Sequence, residues 1–261
     1  MKSLLISALR SAGEILRREQ SQKQPVRYKT NHEAVTRADT LSDQAIQRTI
    51  VAACPRHAIL SEERPPKNLD RSDWLWIIDP LDGTNNYLSR NPIYSVNIAF
   101  ARKIKNRCQL LLGGIYLPAT DDLYFAENRG GAWLNGKRLR ISKTSALADS
   151  KIIFCHGYIR ADVLRGGRLY AALHPRIRVC RMLGAAGVEM SLVAAGGMEG
   201  FLYSGAKAWD IAAGALLVRE AGGRVRSETR KDWQIGDATK VVLVSNQKLS
   251  GPLLSLTRKA V

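Results

Sequence analysis

Trp76-Ile77-Ile78-Asp79-Pro80-Leu81-Asp82-Gly83-Thr84-Asn85-Asn86 organises the rest of the chain. An apolar, β-branched run reads as a buried strand, and here it ends on an acid. Pro80 cannot continue a central strand, so the chain is expected to leave the sheet there. Asp82-Gly83 then turns it, and Gly83 lets the backbone come close to whatever sits at the turn. Thr84 and the two asparagines suit a helix start, where amide groups favour an anion. The result is two carboxylates at a strand end beside an anion-binding turn. Carboxylates bind hard cations such as Mg²⁺ through oxygen, and such cations recruit phosphates. Asp-Gly with a following Thr is also an ordinary turn, so the stretch acquires meaning from what accompanies it.

Upstream, Leu4, Leu5, Ala8, Leu9, Ala12, Ile15 and Leu16 recur at helical spacing, which predicts an amphipathic helix over 1–22 ended by Pro25. A short extended piece over 26–35 precedes a second helix over 40–53. Thr36-Arg37-Ala38-Asp39 fits a Thr-x-x-acid capping pattern and places Asp39 at that helix's mouth. Ala58-Ile59-Leu60 reads as a strand that ends on Ser61-Glu62-Glu63, as the opening strand ends on Asp79. Residues 67–73 form a polar loop.

Downstream the pattern turns to β: 93–101, 110–116 and 123–126, then Asn135-Gly136 as a hairpin between 132–134 and a strand to Ile141. The first half is therefore two helices on a mainly antiparallel sheet. A connection over 142–149 leads to a second half with strands at 152–155, 200–203 and 241–245. Helices are expected over 160–173, 184–195 and 208–218, with a short terminal element at 252–256. The division is drawn as 1–146 and 147–261. His156 and His174 read as structural histidines. Asp210 opens the helix at 208–218, where an acid is an ordinary cap.

Bulk properties narrow the class. The chain has 261 residues, 45% of them hydrophobic and 24% charged, which is globular composition. No run approaches the ~18 apolar residues of a membrane span; the best, 110–119, is broken by two glycines and a proline. No membrane association is expected, nor a secretory leader, because Arg10 interrupts the apolar start. Cys54, Cys108, Cys155 and Cys180 are scattered, as expected of reduced thiols in a cytoplasmic chain. The net charge of +17 permits non-specific contact with nucleic acid, but the basic residues are dispersed and do not alternate with aromatics.

Each acid alone has a local explanation, but the set recurs together. Glu62-Glu63, Asp79-Pro80-Leu81-Asp82-Gly83-Thr84-x-Asn86, and Trp209-Asp210-Ile211-Ala212-Ala213-Gly214, in this order, resemble the magnesium-dependent, lithium-sensitive inositol monophosphatase-like phosphatases. Val35 to Asp39, Gly130-Gly131-Ala132 and Asn135-Gly136 extend the resemblance over nearly the whole length. It implies a layered αβαβα sandwich of the α/β (α+β) class, with an antiparallel sheet in the first half and a smaller mixed sheet in the second. It also implies a homodimer acting on a small phosphorylated metabolite.

By the same resemblance, Glu62, Asp79 and the Leu81 carbonyl would hold one Mg²⁺, and Asp79, Asp82 and Asp210 a second. Glu62 and Asp39, through water, would help with a third. Gly83 and Thr84 would offer amides to the phosphate, and Thr84 backed by Asp39 would orient the attacking water. Asp82, Asp210 and Tyr203 would face the substrate. Paired divalent ions offset the dianion's repulsion of a nucleophile and make water a better one. A covalent route through Asp79 does not fit, because the spacing is Asp-x-x-Asp and no matching lysine motif follows.

Two departures bear on the substrate. Tyr203 stands where the inositol phosphatases carry an acid that reads a substrate hydroxyl, and Ser61 replaces a glycine before the acid pair. Residues 153–157 do not reproduce the bisphosphate nucleotidase pattern. Lys207 is a possible contact for a second anion, or an exposed surface lysine. The Tyr203 departure weighs against inositol phosphate as the specific substrate; sugar bisphosphates, histidinol phosphate and nucleotide bisphosphates stay open, with a small polyol or sugar monophosphate as the default. The rival reading is a non-catalytic, phosphatase-like scaffold that binds RNA or transcription machinery.

Overall fold

The computed structural model describes residues 1–22, 26–29, 33–105, 107–229 and 231–261. Pro25, expected to stop the first helix, lies outside the described residues. The first layer is a pair of helices, α1 (Lys2–Gln20) and α2 (Arg37–Ala53), with the small hairpin β1 (Val26–Tyr28) and β2 (Ala34–Thr36) between them. Leu5, Leu9 and Leu16 of α1 and Ile46 and Ile50 of α2 are buried against the first sheet. Each such side chain contributes on the order of 1.5–3 kcal/mol of burial. The helix α2 starts earlier than its apolar pattern suggests. Thr36 caps it and Asp39 closes a reciprocal capping box, so the helix is nucleated by its polar start.

The second layer is a seven-stranded sheet: β3 (Ala58–Ser61), β4 (Trp74–Asp82), β5 (Ser95–Ile104), β6 (Arg107–Leu117), β7 (Asp122–Glu127), β8 (Gly131–Leu134) and β9 (Lys137–Arg138), neighbours in that order. Only β3 and β4 run parallel, and the rest are antiparallel. The expectation that the chain leaves the sheet at Pro80 is corrected here. β4 continues to Asp82 by skipping register between Asp79 and Asp82 opposite β5. Such an irregularity tolerates a proline, which has no N–H to give to the ladder. The helix α3 (Thr84–Leu88) follows, as the Thr and Asn residues predict. The Asn135-Gly136 hairpin is present, but β9 ends at Arg138, short of Ile141.

The third layer is α5 (Ala186–Ala194) and α6 (Ala208–Glu220), sandwiched between the two sheets. The fourth is a smaller sheet ordered β11 (Val179–Arg181), β10 (Lys151–His156), β12 (Gly200–Ser204), β14 (Val241–Ser245), β13 (Arg224–Ser227). β10 runs parallel to β11 and β12, and β14 is antiparallel to its neighbours, so the sheet is mixed. β11 and β13 escape sequence reading because they are short and basic. The fifth layer is α4 (Arg160–Leu173) and α7 (Ser250–Ala260). α7 is longer than the terminal element expected, because Pro252 sits in its first turn, where no N–H is missed. The layered αβαβα arrangement is thus the observed fold. Among the described residues no helix is long and apolar enough to cross a membrane.

One contact sets the spacing of the central layers. A Cβ on Gly113 of β6 would lie 2.6 Å from the carbonyl oxygen of Ala213 in α6. The helix therefore rests on bare backbone, and that approach fixes how far Asp210, at its start, reaches toward the first sheet. Gly113→Val should force sheet and helix apart and cost about 1–3 kcal/mol, read as a lower urea midpoint of unfolding.

Candidate active site

The acids collect where the ends of β3 and β4 meet the starts of α2, α5 and α6. Glu62, Asp79, Leu81, Asp82, Gly83, Thr84, Tyr203 and Asp210 all line one cavity of about 270 Å³. Asp39 stands behind the wall, where its Oδ1 accepts the Thr84 hydroxyl at 3.2 Å. The predicted ligand, catalytic and substrate-facing residues are thereby in or directly against one site, although they come from six separate elements or loops.

Local chemistry explains each placement. Asp39 Oδ2 accepts from the Thr36 amide at 2.7 Å and the Thr36 hydroxyl at 2.6 Å. Its burial outweighs these donors and pushes its pKa up to about 6. Asp79 is buried and its Oδ1 accepts the Leu81 amide at 3.1 Å. Desolvation, then the neighbouring Glu62 and Asp82, hold it well above the usual carboxylate range. Asp82 is the best satisfied. The amides of Ala186 (3.0 Å) and Gly187 (2.6 Å), Ser95 Oγ (3.1 Å) and Asn97 Nδ2 (3.2 Å) all donate to it. Its pKa is still raised, because burial exceeds the help of those bonds.

Asp210 is not the cap of α6. It is the third residue, and its Oδ2 turns back to accept the Lys207 amide at 2.7 Å. Burial carries its pKa to about 7. Lys207 itself is exposed and lies off the cavity wall. Gly83 has φ of +84°, and a Cβ there would lie 2.9 Å from both the Ala185 Cβ and the Ile93 carbonyl oxygen. Only glycine fits this turn.

Several members were not legible in sequence. Lys29 Nζ reaches Glu62 Oε1 at 2.8 Å and Glu63 Oε1 at 2.9 Å. Burial works against its charge, but the two acids outweigh it and raise its pKa. Glu62 shifts upward from burial, against the pull of Lys29. Ser61, the departure before the acid pair, donates to Asp43 Oδ1 at 2.5 Å, and Arg64 Nε meets Asp43 Oδ2 at 2.7 Å. These ties anchor the Glu62 segment to α2. Ser42 of the same helix donates to the Pro80 carbonyl at 2.7 Å. Across the cavity, Glu189 Oε1 accepts the amides of Leu183 (2.8 Å) and Gly184 (3.1 Å), while Asn86 Nδ2 donates to the Leu183 carbonyl at 2.7 Å. Lys29, Ser42 and Glu189 are single polar residues in unrelated segments, so no spacing betrays them.

The donor set suits a hard divalent cation. Carboxylate and carbonyl oxygens surround the cavity, its described lining contains no lysine or arginine, and Lys29, from outside the lining, pairs with Glu62 alone among the four acids. Among the described residues no three acid, histidine or cysteine side chains converge tightly enough to grip one ion as they stand.

Residues 1–261 match the model of the inositol monophosphatase family. The chain belongs to that family. An inositol-1-monophosphatase from Mesorhizobium japonicum is 34% identical over 262 residues, covering 98% of this chain and 96% of the relative. A Nus factor SuhB from Pasteurella multocida is 34% identical over 230 residues, 86% of this chain and 84% of its own. The crystal structure of the extragenic suppressor protein suhB from Bartonella henselae superposes with a TM-score of 0.90 at 28% identity, over 100% of this chain and 99% of that one. Inositol monophosphatase family members are metal-dependent phosphatases, in keeping with the oxygen-rich cavity.

Glu189, which is not a proposed ligand but feels the charge of Asp82, offers a pH test. Burial raises its pKa to about 8, while its bonds to Leu183 and Gly184 pull the other way. The unfolded chain ionises this acid near 4.3, so above that pH the folded state holds the extra proton. Stability from this group is therefore present at low pH and lost as pH rises toward 8, at roughly 1.4 kcal/mol per pH unit at most. Glu189→Gln should remove that slope, and the difference between the two proteins in urea unfolding from pH 5 to 8 measures it.

Proposed function

We propose that this chain is a Mg²⁺-dependent phosphate monoesterase that hydrolyses a small phosphate monoester without a covalent intermediate. The observation that carries the reading is the convergence of Glu62, Asp79, Asp82 and Asp210 on one cavity beside Gly83 and Thr84. Family membership supports it, as do relatives named inositol-1-monophosphatase. Glu62, Asp79 and the Leu81 carbonyl would hold one ion. Asp79, Asp82 and Asp210 would hold a second, and Glu62 with Asp39, through water, a third. Bound there, divalent ions neutralise phosphoryl charge and acidify an attacking water.

The chain's own residues do the rest. The amides of Gly83 and Thr84 orient the phosphoryl oxygens. The Thr84 hydroxyl, donating to Asp39, keeps lone pairs for a hydrogen of the attacking water and so fixes its direction. Asp39, with its pKa near 6, is a stronger base than an exposed carboxylate and can draw a proton through Thr84. Asp82 and Asp210 face the leaving alcohol. Lys29 holds Glu62 and Glu63 by charge, and a cation entering the acid cluster competes with it for Glu62. A cytoplasmic homodimer is part of the same reading, checked by light scattering.

This chain's net charge of +17, together with a relative named Nus factor SuhB, supports a second reading as a nucleic-acid-binding scaffold. Retention on RNA that survives moderate salt, without phosphate release, would favour it.

Asp79→Asn and Asp210→Asn should each lower Mg²⁺-dependent phosphate release by more than about 100-fold, beyond what loss of an outer-shell partner produces, with the circular dichroism spectrum unchanged. Near-normal turnover by either variant would remove the metal assignment. Phosphate release should also vanish with EDTA, return with Mg²⁺ and fall with Li⁺, in a screen across inositol phosphates, sugar phosphates and adenosine 3′,5′-bisphosphate.

A further inference from the structure

The cavity extends beyond its acids, and that outer part has a different chemistry. Phe154, His156, Tyr158, Met182 and Leu183 form part of its wall. Two of them are large side chains the fold leaves in water: Tyr158 is 45% exposed and Met182 55%. Single exposed apolar residues need no explanation, but two on the wall of one concave site do.

Tyr158 is also held in place. Asn85 Nδ2 donates to its hydroxyl at 2.8 Å, and Asn85 directly follows Thr84. The ring is thereby tethered one residue from the turn proposed to face the phosphate. The wall's polar atoms are largely committed elsewhere. The Tyr158 hydroxyl already takes the Asn85 amide, and His156 Nδ1 meets the Gly157 carbonyl at 3.0 Å. A polyol would find few free partners there. A second phosphate would find none of the chain's 40 lysines and arginines among the described lining residues, and it would face Glu33.

Resting on the monoesterase reading, we infer that the substrate carries a single phosphate and a flat aromatic ring on its alcohol, and that Tyr158 and Met182 are the specificity-determining residues that receive the ring. Tyrosine offers a stacking face with little rotameric freedom to lose. The methionine thioether makes favourable contact with ring edges and adapts to their shape. The ring class could be a nucleoside or an arylalkyl alcohol, and both present the same face.

The test compares adenosine 5′-monophosphate, 2-phenylethyl phosphate and glycerol 1-phosphate, all primary alkyl monoesters whose leaving groups differ little in the chemistry. Phosphate release by the Mg²⁺-loaded enzyme should favour a ring-bearing substrate over glycerol 1-phosphate by about tenfold in kcat/KM, mainly through KM. Tyr158→Ala should collapse that ratio by raising KM for the ring-bearing substrate, while Tyr158→Phe, which keeps the ring, retains most of it. Preference for both ring substrates supports the aromatic ring alone as the determinant. Preference for the adenosine compound only supports a nucleoside. Glycerol 1-phosphate turned over as well as either, or Tyr158→Ala lowering all three alike, overturns the inference and leaves the phosphatase reading standing. No Mg²⁺-dependent release from these three or from inositol 1-phosphate overturns both.

Discussion

The structure depends on keeping like-charged carboxylates close together in a place with little water. Glu62, Asp79, Asp82 and Asp210 line one small cavity, and burial pushes every one of them toward the protonated form. Withdrawing an ion from water costs several kcal/mol even after relaxation. The fold offsets part of that cost with donors: the Leu81 amide for Asp79, four donors for Asp82, the Lys207 amide for Asp210, and Lys29 for Glu62. Hydrogen bonds to charged groups are worth about 1.5–3 kcal/mol each, so the acids are tolerated rather than comfortable. Such a site gains stability from any divalent cation it admits, and this links the energetics of the fold to phosphate chemistry.

Those donors also show how the layers cooperate. Asp82 lies at the end of β4 in the first sheet, while two of its amide donors open α5 in the central helical layer. Asp210 opens α6, which packs on β6 where Gly113 gives it room. Asp39 opens α2 on the outer face and touches the site through Thr84. The site is therefore a junction of the helix pair, the first sheet and the central helices. A shift in any one layer changes the distances among the acids, so core packing and chemistry are not separable here. The second sheet contributes the far wall, through Phe154 and His156 on β10 and Tyr203 on β12.

Much of this was readable from the chain. The apolar stripe of α1, the run at 76–79 and the Asn135-Gly136 turn are local signals, and local burial and turn chemistry decide them. Each acid alone had an ordinary turn or cap explanation; the acids were visible as a set, through motifs that recur together in a known family. The extension of β4 past Pro80 was not visible, because it is decided by pairing with β5 rather than by the proline. Nor were Lys29, Glu189 and Tyr158, single residues that carry no spacing of their own and meet partners far away in the fold or within loops. Sequence by itself therefore determined which residue types stand at element ends, since propensity and periodicity act over a few positions. Tertiary structure alone decided which of those ends meet, because the contacts that bring β4, α5 and α6 together span more than a hundred residues and are set by close packing between layers.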